Sequence, residues 1–141
     1  MITDFRHSGI VVEDLDAALD FYVDLGFKVV TRMEESGPFI ENILQLKGVK
    51  VTTVKLVGCD GNKIELLFFK SHPGDKKKRE LTDYGLTHLA FTVDNVDEEY
   101  KRLLEKNIYF FSEPSINPEE TAKVVFFRDP WGNILELVQM F

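Results

Sequence analysis

Two histidines and two glutamates occupy matched places in a chain that is written twice. His7-Ser8-Gly9-Ile10-Val11-Val12-Glu13-Asp14-Leu15-Asp16 aligns with His88-Leu89-Ala90-Phe91-Thr92-Val93-Asp94-Asn95-Val96-Asp97 without a gap. Further on, Gly61-Asn62-Lys63-Ile64-Glu65-Leu66 aligns with Gly132-Asn133-Ile134-Leu135-Glu136-Leu137. Each copy thus opens with a His on a strand-like run and closes with a Glu on another. Two imidazoles and two carboxylates suit one divalent cation. His7, Glu65, His88 and Glu136 are therefore the candidate metal ligands.

Side-chain direction sharpens this. Strand residues two apart share a face. Glu136 shares its face with Ile134 and Val138, His88 with Leu86 and Ala90, and His7 with Phe5 and Gly9; Glu65 lies between Lys63 and Leu67. An ionised carboxylate on an apolar face is costly unless a cation or strong donors compensate it. Taken singly, a strand Glu faces solvent and a lone His is an ordinary hydrogen-bonded residue. Recurrence of His first and Glu last in both copies is what a purely structural role leaves unexplained. His72 has no counterpart and is left out.

The elements that must position these groups follow from pattern. Phe5 to Val12 reads as a strand. Asp14 caps a helix carrying Leu15, Ala18, Leu19 and Tyr22 on one face, and Gly26 ends it. Strands follow at 27–32, 49–57 and 63–69, the last two as a hairpin through the turn residues 58–62. The second copy repeats the order: a strand at 86–93, then a helix opened by Asn95 with Glu98 in a capping-box spacing and closed by a left-handed Asn107. Strands at 109–112, 123–128 and 134–140 complete it. Residues 34–48 read as an insertion with helical character, and 113–122, with Pro114 and Pro118, as a loop. The expected organisation is a first βαβββ module at 1–70, a linker at 71–83 and a second module at 84–141, sharing one folding unit.

Composition bounds the function. The chain has 141 residues, is 44% hydrophobic and carries a net charge of −7. That size suits a proper core. The negative balance argues against nucleic acid. No apolar run approaches the ~20 residues of a membrane span, and the start lacks a signal-peptide core. Cys59 is the single cysteine, so no intrachain disulfide forms and a cytoplasmic setting is expected.

Three fragments carry a family resemblance: His7 to Leu15, Gly85 to Val96, and Asp-Pro-Trp-Gly-Asn-Ile-Leu-Glu-Leu at Asp129 to Leu137. In order, over a duplicated chain, they resemble the vicinal oxygen chelate superfamily. That group includes glyoxalase I, methylmalonyl-CoA epimerase, extradiol dioxygenases and bleomycin- or fosfomycin-resistance proteins. The resemblance implies an α+β fold of tandem βαβββ modules. Their curved mixed sheets would form an open, barrel-like metal cavity, with His7, Glu65, His88 and Glu136 as the ligands.

Four protein ligands on an octahedral cation leave two positions for an enediolate or enolate, and the metal stabilises its charge. A dioxygenase needs a further position for oxygen and prefers three protein ligands. The expectation is a glyoxalase I-like lyase or isomerase with one divalent ion (Ni, Zn, Co, Mn or Fe), a small-molecule substrate and a homodimeric assembly. Glu136 or Glu65 acts as base; Glu136 is favoured because Ile134 and Val138 keep its face dry. A methylmalonyl-CoA epimerase-like isomerase, an extradiol-type dioxygenase and a non-catalytic drug- or metabolite-binding protein are the alternatives.

Glu65 stands where such epimerases have Gln. Val11 and Phe69 stand where bacterial glyoxalase I has the Arg and Asn that grip glutathione. The basic run Lys76 to Arg79 is a candidate phosphate contact, as for CoA. Phe68, Phe69, Phe110, Phe111, Phe126 and Phe127 are candidates for an apolar pocket, most of them for the core.

Overall fold

The computed structural model describes residues 1–75 and 80–141. The chain forms two compact units, Met1–Asp75 and Lys76–Phe141. The run Lys76 to Arg79 lies outside the described residues, so its candidate phosphate contact has no structural account.

In the first unit the order is β1 (Ser8–Val11), α1 (Leu15–Asp24), β2 (Lys28–Ser36), α2 (Pro38–Leu44), β3 (Lys50–Val57) and β4 (Lys63–Phe69). The sheet order is β1-β4-β3-β2, with β1 parallel to β4 and the other pairs antiparallel. The second unit has β5 (His88–Thr92), α3 (Val96–Glu105), β6 (Ser115–Ile116), β7 (Ala122–Arg128) and β8 (Ile134–Met140). Its order, β5-β8-β7-β6, is the same, and again only the first and last strands pair in parallel. The architecture is α+β, with two mixed, open four-stranded sheets.

Period-2 alternation splits each sheet into two faces. In the first unit Ile10, Ile64, Leu66, Val54 and Leu56 are buried on one face, which α1 covers with Leu15, Ala18 and Tyr22. Each such large side chain contributes about 1.5–3 kcal/mol when fully buried. The opposite face carries Glu65, Leu67 and Phe69. There α2 covers one end, packing Ile40 against Val49 and Val51, with Leu46, Leu67 and Phe69 around them. In the second unit Leu135, Leu137, Val125 and Phe127 are buried on the face that meets Val96 and Leu103 of α3. Gln139, next in that row, accepts a 3.0 Å hydrogen bond from the Val96 N–H and so pins the start of α3 to β8.

The caps are as the sequence indicates. Asp14 Oδ1 accepts from the Ala17 N–H at 3.0 Å, and Asn95 Oδ1 from the N–H groups of Asp97 and Glu98 at 3.1 and 3.2 Å. Asn107 takes a left-handed φ of 59° just past α3.

Several expectations need correction. The first strand begins at Ser8 rather than Phe5, and the fifth at His88 rather than Leu86. Phe5 and Leu86 are exposed, so they give the histidines no apolar neighbours. Strand β2 runs to Ser36, into the supposed insertion. Glu34 and Glu35 fit there because Thr52, opposite Glu34, and Thr53, diagonal to Glu35, donate hydroxyl hydrogen bonds to their carboxylates. Lys70 also pairs with Glu34, and these partners hold its carboxyl below the ordinary value, the Lys70 hydrogen bond foremost. Residues 109–112 form no strand, only one bridge from Phe110 to Phe127. The loop 113–122 instead contributes the two-residue β6, which pairs with Lys123 and Val124.

Replacing Asn95 by Ala removes the acceptor for two helix N–H groups. It should lower unfolding stability by about 1 kcal/mol, read as a shift of the urea midpoint with an unchanged slope.

Candidate metal centre

The parallel pairing of first and last strand sets the site. Gly9 is in register with Glu65, and Ala90 with Glu136. Gly9 and Ala90 are equivalent in the repeat, so the two copies agree to the residue. The histidine lies two positions earlier on the same side, and each His meets its own Glu. His7 Nε2 is 3.1 Å from Glu65 Oε2, and His88 Nε2 is 3.3 Å from Glu136 Oε2. The Glu side chains are 14% and 16% exposed, so both carboxylates are largely shielded. Within neither unit do three or more His, Cys, Asp or Glu gather, among the described residues. Each unit therefore holds one His–Glu couple.

The donor chemistry fits a divalent cation. At metal–ligand bonds of about 2.0–2.2 Å, two ligands at a right angle stand about 3 Å apart. The observed separations are close to that. The His7 Nδ1 atom is buried with no hydrogen-bond partner among the described residues. His88 differs: its Nδ1 lies 2.7 Å from the Thr87 hydroxyl. That hydroxyl can hold the Nδ1–H tautomer and leave the Nε2 lone pair free for a ligand. Arg6 stands in the place of Thr87 in the first copy.

The third strand separates the two couples chemically. Lys55 faces Glu65 across β3 and β4, with its Nζ 3.4 Å from Glu65 Oε1. Phe126 holds the corresponding position opposite Glu136, and its ring meets His88 edge-on at 5.1 Å. Glu65 is thus held from both sides, by His7 and Lys55, whereas Glu136 has an aromatic wall. Lys55 and Thr87 were not singled out in the sequence. Extending the repeat alignment to the third strand sets Lys55 against Phe126 and would have marked the difference. Thr87 has no such signal.

Matching turns lead into β4 and β8. The Gly58 N–H donates to Asn62 O, and the Asp129 N–H to Asn133 O, both at 2.9 Å. Gly61 and Gly132 close these turns at φ 85° and 89°, in the left-handed region. In the first, Asp60 accepts from the Asn62 side chain and backbone, which hold its carboxyl below the ordinary value. In the second, buried Asp129 accepts from Trp131 N–H, Asn133 N–H and Asn133 Nδ2. The six candidate pocket phenylalanines divide between faces. Phe126 borders the His88–Glu136 couple and Phe111 lies under the Arg128 guanidinium; half-buried Phe110 packs its ring, tilted by 30°, against buried Phe127. Phe69 joins the cluster under α2, and Phe68 lines a separate cleft with Thr52 and Arg32.

The family model described as Glyoxalase/Bleomycin resistance protein/Dioxygenase superfamily matches residues 4–137. The chain belongs to that superfamily. Among its relatives, the uncharacterized protein YurT of Bacillus subtilis is 33% identical over 94% of this chain and 95% of that protein. A probable lactoylglutathione lyase of Synechocystis is 27% identical, over 94% of this chain and 92% of that protein.

Among solved structures, a glyoxalase family protein from Bacillus cereus superposes with a TM-score of 0.91 at 24% identity. It covers 100% of this chain and 96% of that one. The fosfomycin resistance protein FosX from Listeria monocytogenes, solved with Mn(II) and sulfate, gives 0.65 at 18% identity, over 100% of this chain and 95% of that one. At these identities the two structures establish the fold alone.

Asp129→Ala leaves three inward-facing donors of the turn before β8 without their acceptor. It should cost about 2–4 kcal/mol, measured by denaturant unfolding. Asp60→Ala, in the exposed counterpart, should cost clearly less.

Proposed function

We propose that this protein is a divalent-metal-dependent lyase or isomerase of the glyoxalase I type, acting on a small carbonyl, thioester or hemithioacetal substrate by enolisation. The observation that carries the reading is the recurrence of one His–Glu couple at one register in both units. A couple alone offers two donors, too few for a tight site. His7, Glu65, His88 and Glu136 together offer two nitrogens and two carboxylates, which suit Ni, Zn, Co, Mn or Fe. Both couples come from one chain, or are shared between the two chains of a homodimer. The Mn(II) in FosX and the lyase name of the Synechocystis relative support the metal and the reaction class.

When bound, the cation supplies Lewis-acid stabilisation of the negative charge that grows on the substrate oxygen. The residues do the rest. The carboxylate of Glu136 takes the proton from the carbon beside the carbonyl and returns it to the product. Ile134 and Val138 flank it on its own face, and Phe126 walls it on the neighbouring strand, which limits water. Among the described residues no lysine pairs with Glu136, which leaves its carboxylate more available as a base than that of Glu65. Glu65, held by Lys55 and His7, is the fixed partner. The positions that grip glutathione in bacterial glyoxalase I hold Val11, an exposed apolar residue, and Phe69, which packs under α2. Other groups must hold the substrate here. An epimerase-like isomerase would use the same chemistry. Four donors weigh against a dioxygenase, and a binding protein without catalysis has no need of a matched metal set.

Protein purified without added metal should carry one divalent ion per four-donor site. It should exchange the substrate's α-hydrogen for deuterium in a panel of hemithioacetals, acyl-CoA thioesters and 2-oxo compounds. Iron as the sole metal would favour the dioxygenase; tight binding of one compound with no exchange would favour the sequestering protein. Glu136→Gln should keep much of the metal and lower turnover by about 100-fold or more.

A two-fold dimer is part of the proposal, since each open sheet leaves strand edges to be covered. Sedimentation should show a dimer at micromolar concentration, and a strict monomer there would remove it.

A further inference from the structure

Among the described residues, Lys55 is a charged group that the first copy adds to its His–Glu couple, where the second copy has Phe126. Its Nζ lies 3.4 Å from Glu65 Oε1, on the oxygen that faces away from His7. Its side chain is 29% exposed, so the ammonium reaches solvent on the face that carries the couple. On its other side the in-register neighbour is Thr31 of β2, which brings no charge. The sheet itself does not demand a lysine there: Phe126 fills the same position in the second unit, on the same strand pairing.

Charge counting then decides what the lysine is for. Two carboxylates, two neutral imidazoles and one divalent cation sum to zero. The ammonium would add one surplus positive charge beside the cation, which an anionic group on the substrate would answer. We infer that Lys55 selects substrates that carry their own anionic group, a carboxylate adjacent to the reacting carbonyl, by pairing its ammonium with that group. The inference rests on the proposed metal reading and deepens it by naming the substrate class. A small 2-oxo carboxylate presents two vicinal oxygens and one negative charge, and it needs no glutathione grip. Lys55 acts in ground-state binding, as a specificity residue, while the proton passes through Glu136.

Oxamate and oxamide test this. Both are stable and nearly isosteric, and both present vicinal oxygens; only oxamate is charged. Metal content and binding of each are measured by calorimetry on metal-loaded wild type, Lys55→Met and Lys55→Arg. Wild type should bind oxamate at least about tenfold more tightly than oxamide. Lys55→Met should keep its metal and lose most of that preference, and Lys55→Arg should retain part of it.

Metal-loaded wild type that binds the two alike, or Lys55→Met that keeps the full preference, overturns the role of Lys55 and leaves the metal reading standing. Wild type that takes up no metal fails the metal reading, and with it the surplus charge on which Lys55 was assigned. Lys55→Met that loses its metal and binds both probes equally weakly shows a lysine that only positions Glu65, and overturns the inference as well.

Discussion

The parallel pairing of the first strand of each unit with its last is the constraint on which the site depends. Hairpins bring sequence neighbours together; this pairing brings together residues nearly sixty positions apart in one unit and nearly fifty in the other. It does so at one register, Gly9 on Glu65 and Ala90 on Glu136. A slip of one residue would turn each Glu to the helix-covered face, among Leu66 or Leu135 and their neighbours. The helix faces resist that slip, because Ile64, Leu66, Leu135 and Leu137 are almost wholly buried there. Core burial on one face thus holds the carboxylates on the other.

The turns before β4 and β8 serve the same end. Each must reverse the chain within a few residues and deliver the next strand in a fixed phase. Gly61 and Gly132 supply the left-handed backbone, and the hydrogen bond back across the turn is the same length in both. What differs is the side-chain support. Asp60 works in solvent, while Asp129 is buried and saturated by three donors. The second unit therefore carries the more rigid approach to its glutamate, and the more sharply defined surroundings of Phe126 and Thr87.

Much of this was legible because it is periodic or capped. Asp14, Asn95 and Asn107 act as their types suggest, and the β3–β4 hairpin follows from its turn residues. The His–Glu couples were legible only through the repeat, since a single strand His or Glu carries no signal. The misses have physical causes. Strand β6 has two residues between prolines and exists because β7 offers it an edge, a tertiary effect invisible to local pattern. Residues 109–112 have strand-like composition, yet Tyr100 and Phe127 take up the Phe110 ring and only one bridge forms. Strand β2 carries Glu34 and Glu35 because threonines across the ladder satisfy them.

Duplication explains why the copies agree in backbone and differ in chemistry. The backbone register is set by buried apolar rows and by glycine turns, so both copies keep it. The third strand's site-face position is under no such demand, and it holds Lys55 in one copy and Phe126 in the other. The His7–Glu65 couple thus has a cationic neighbour and the His88–Glu136 couple an aromatic one. Register sets where each couple stands, and the third strand sets what stands beside it.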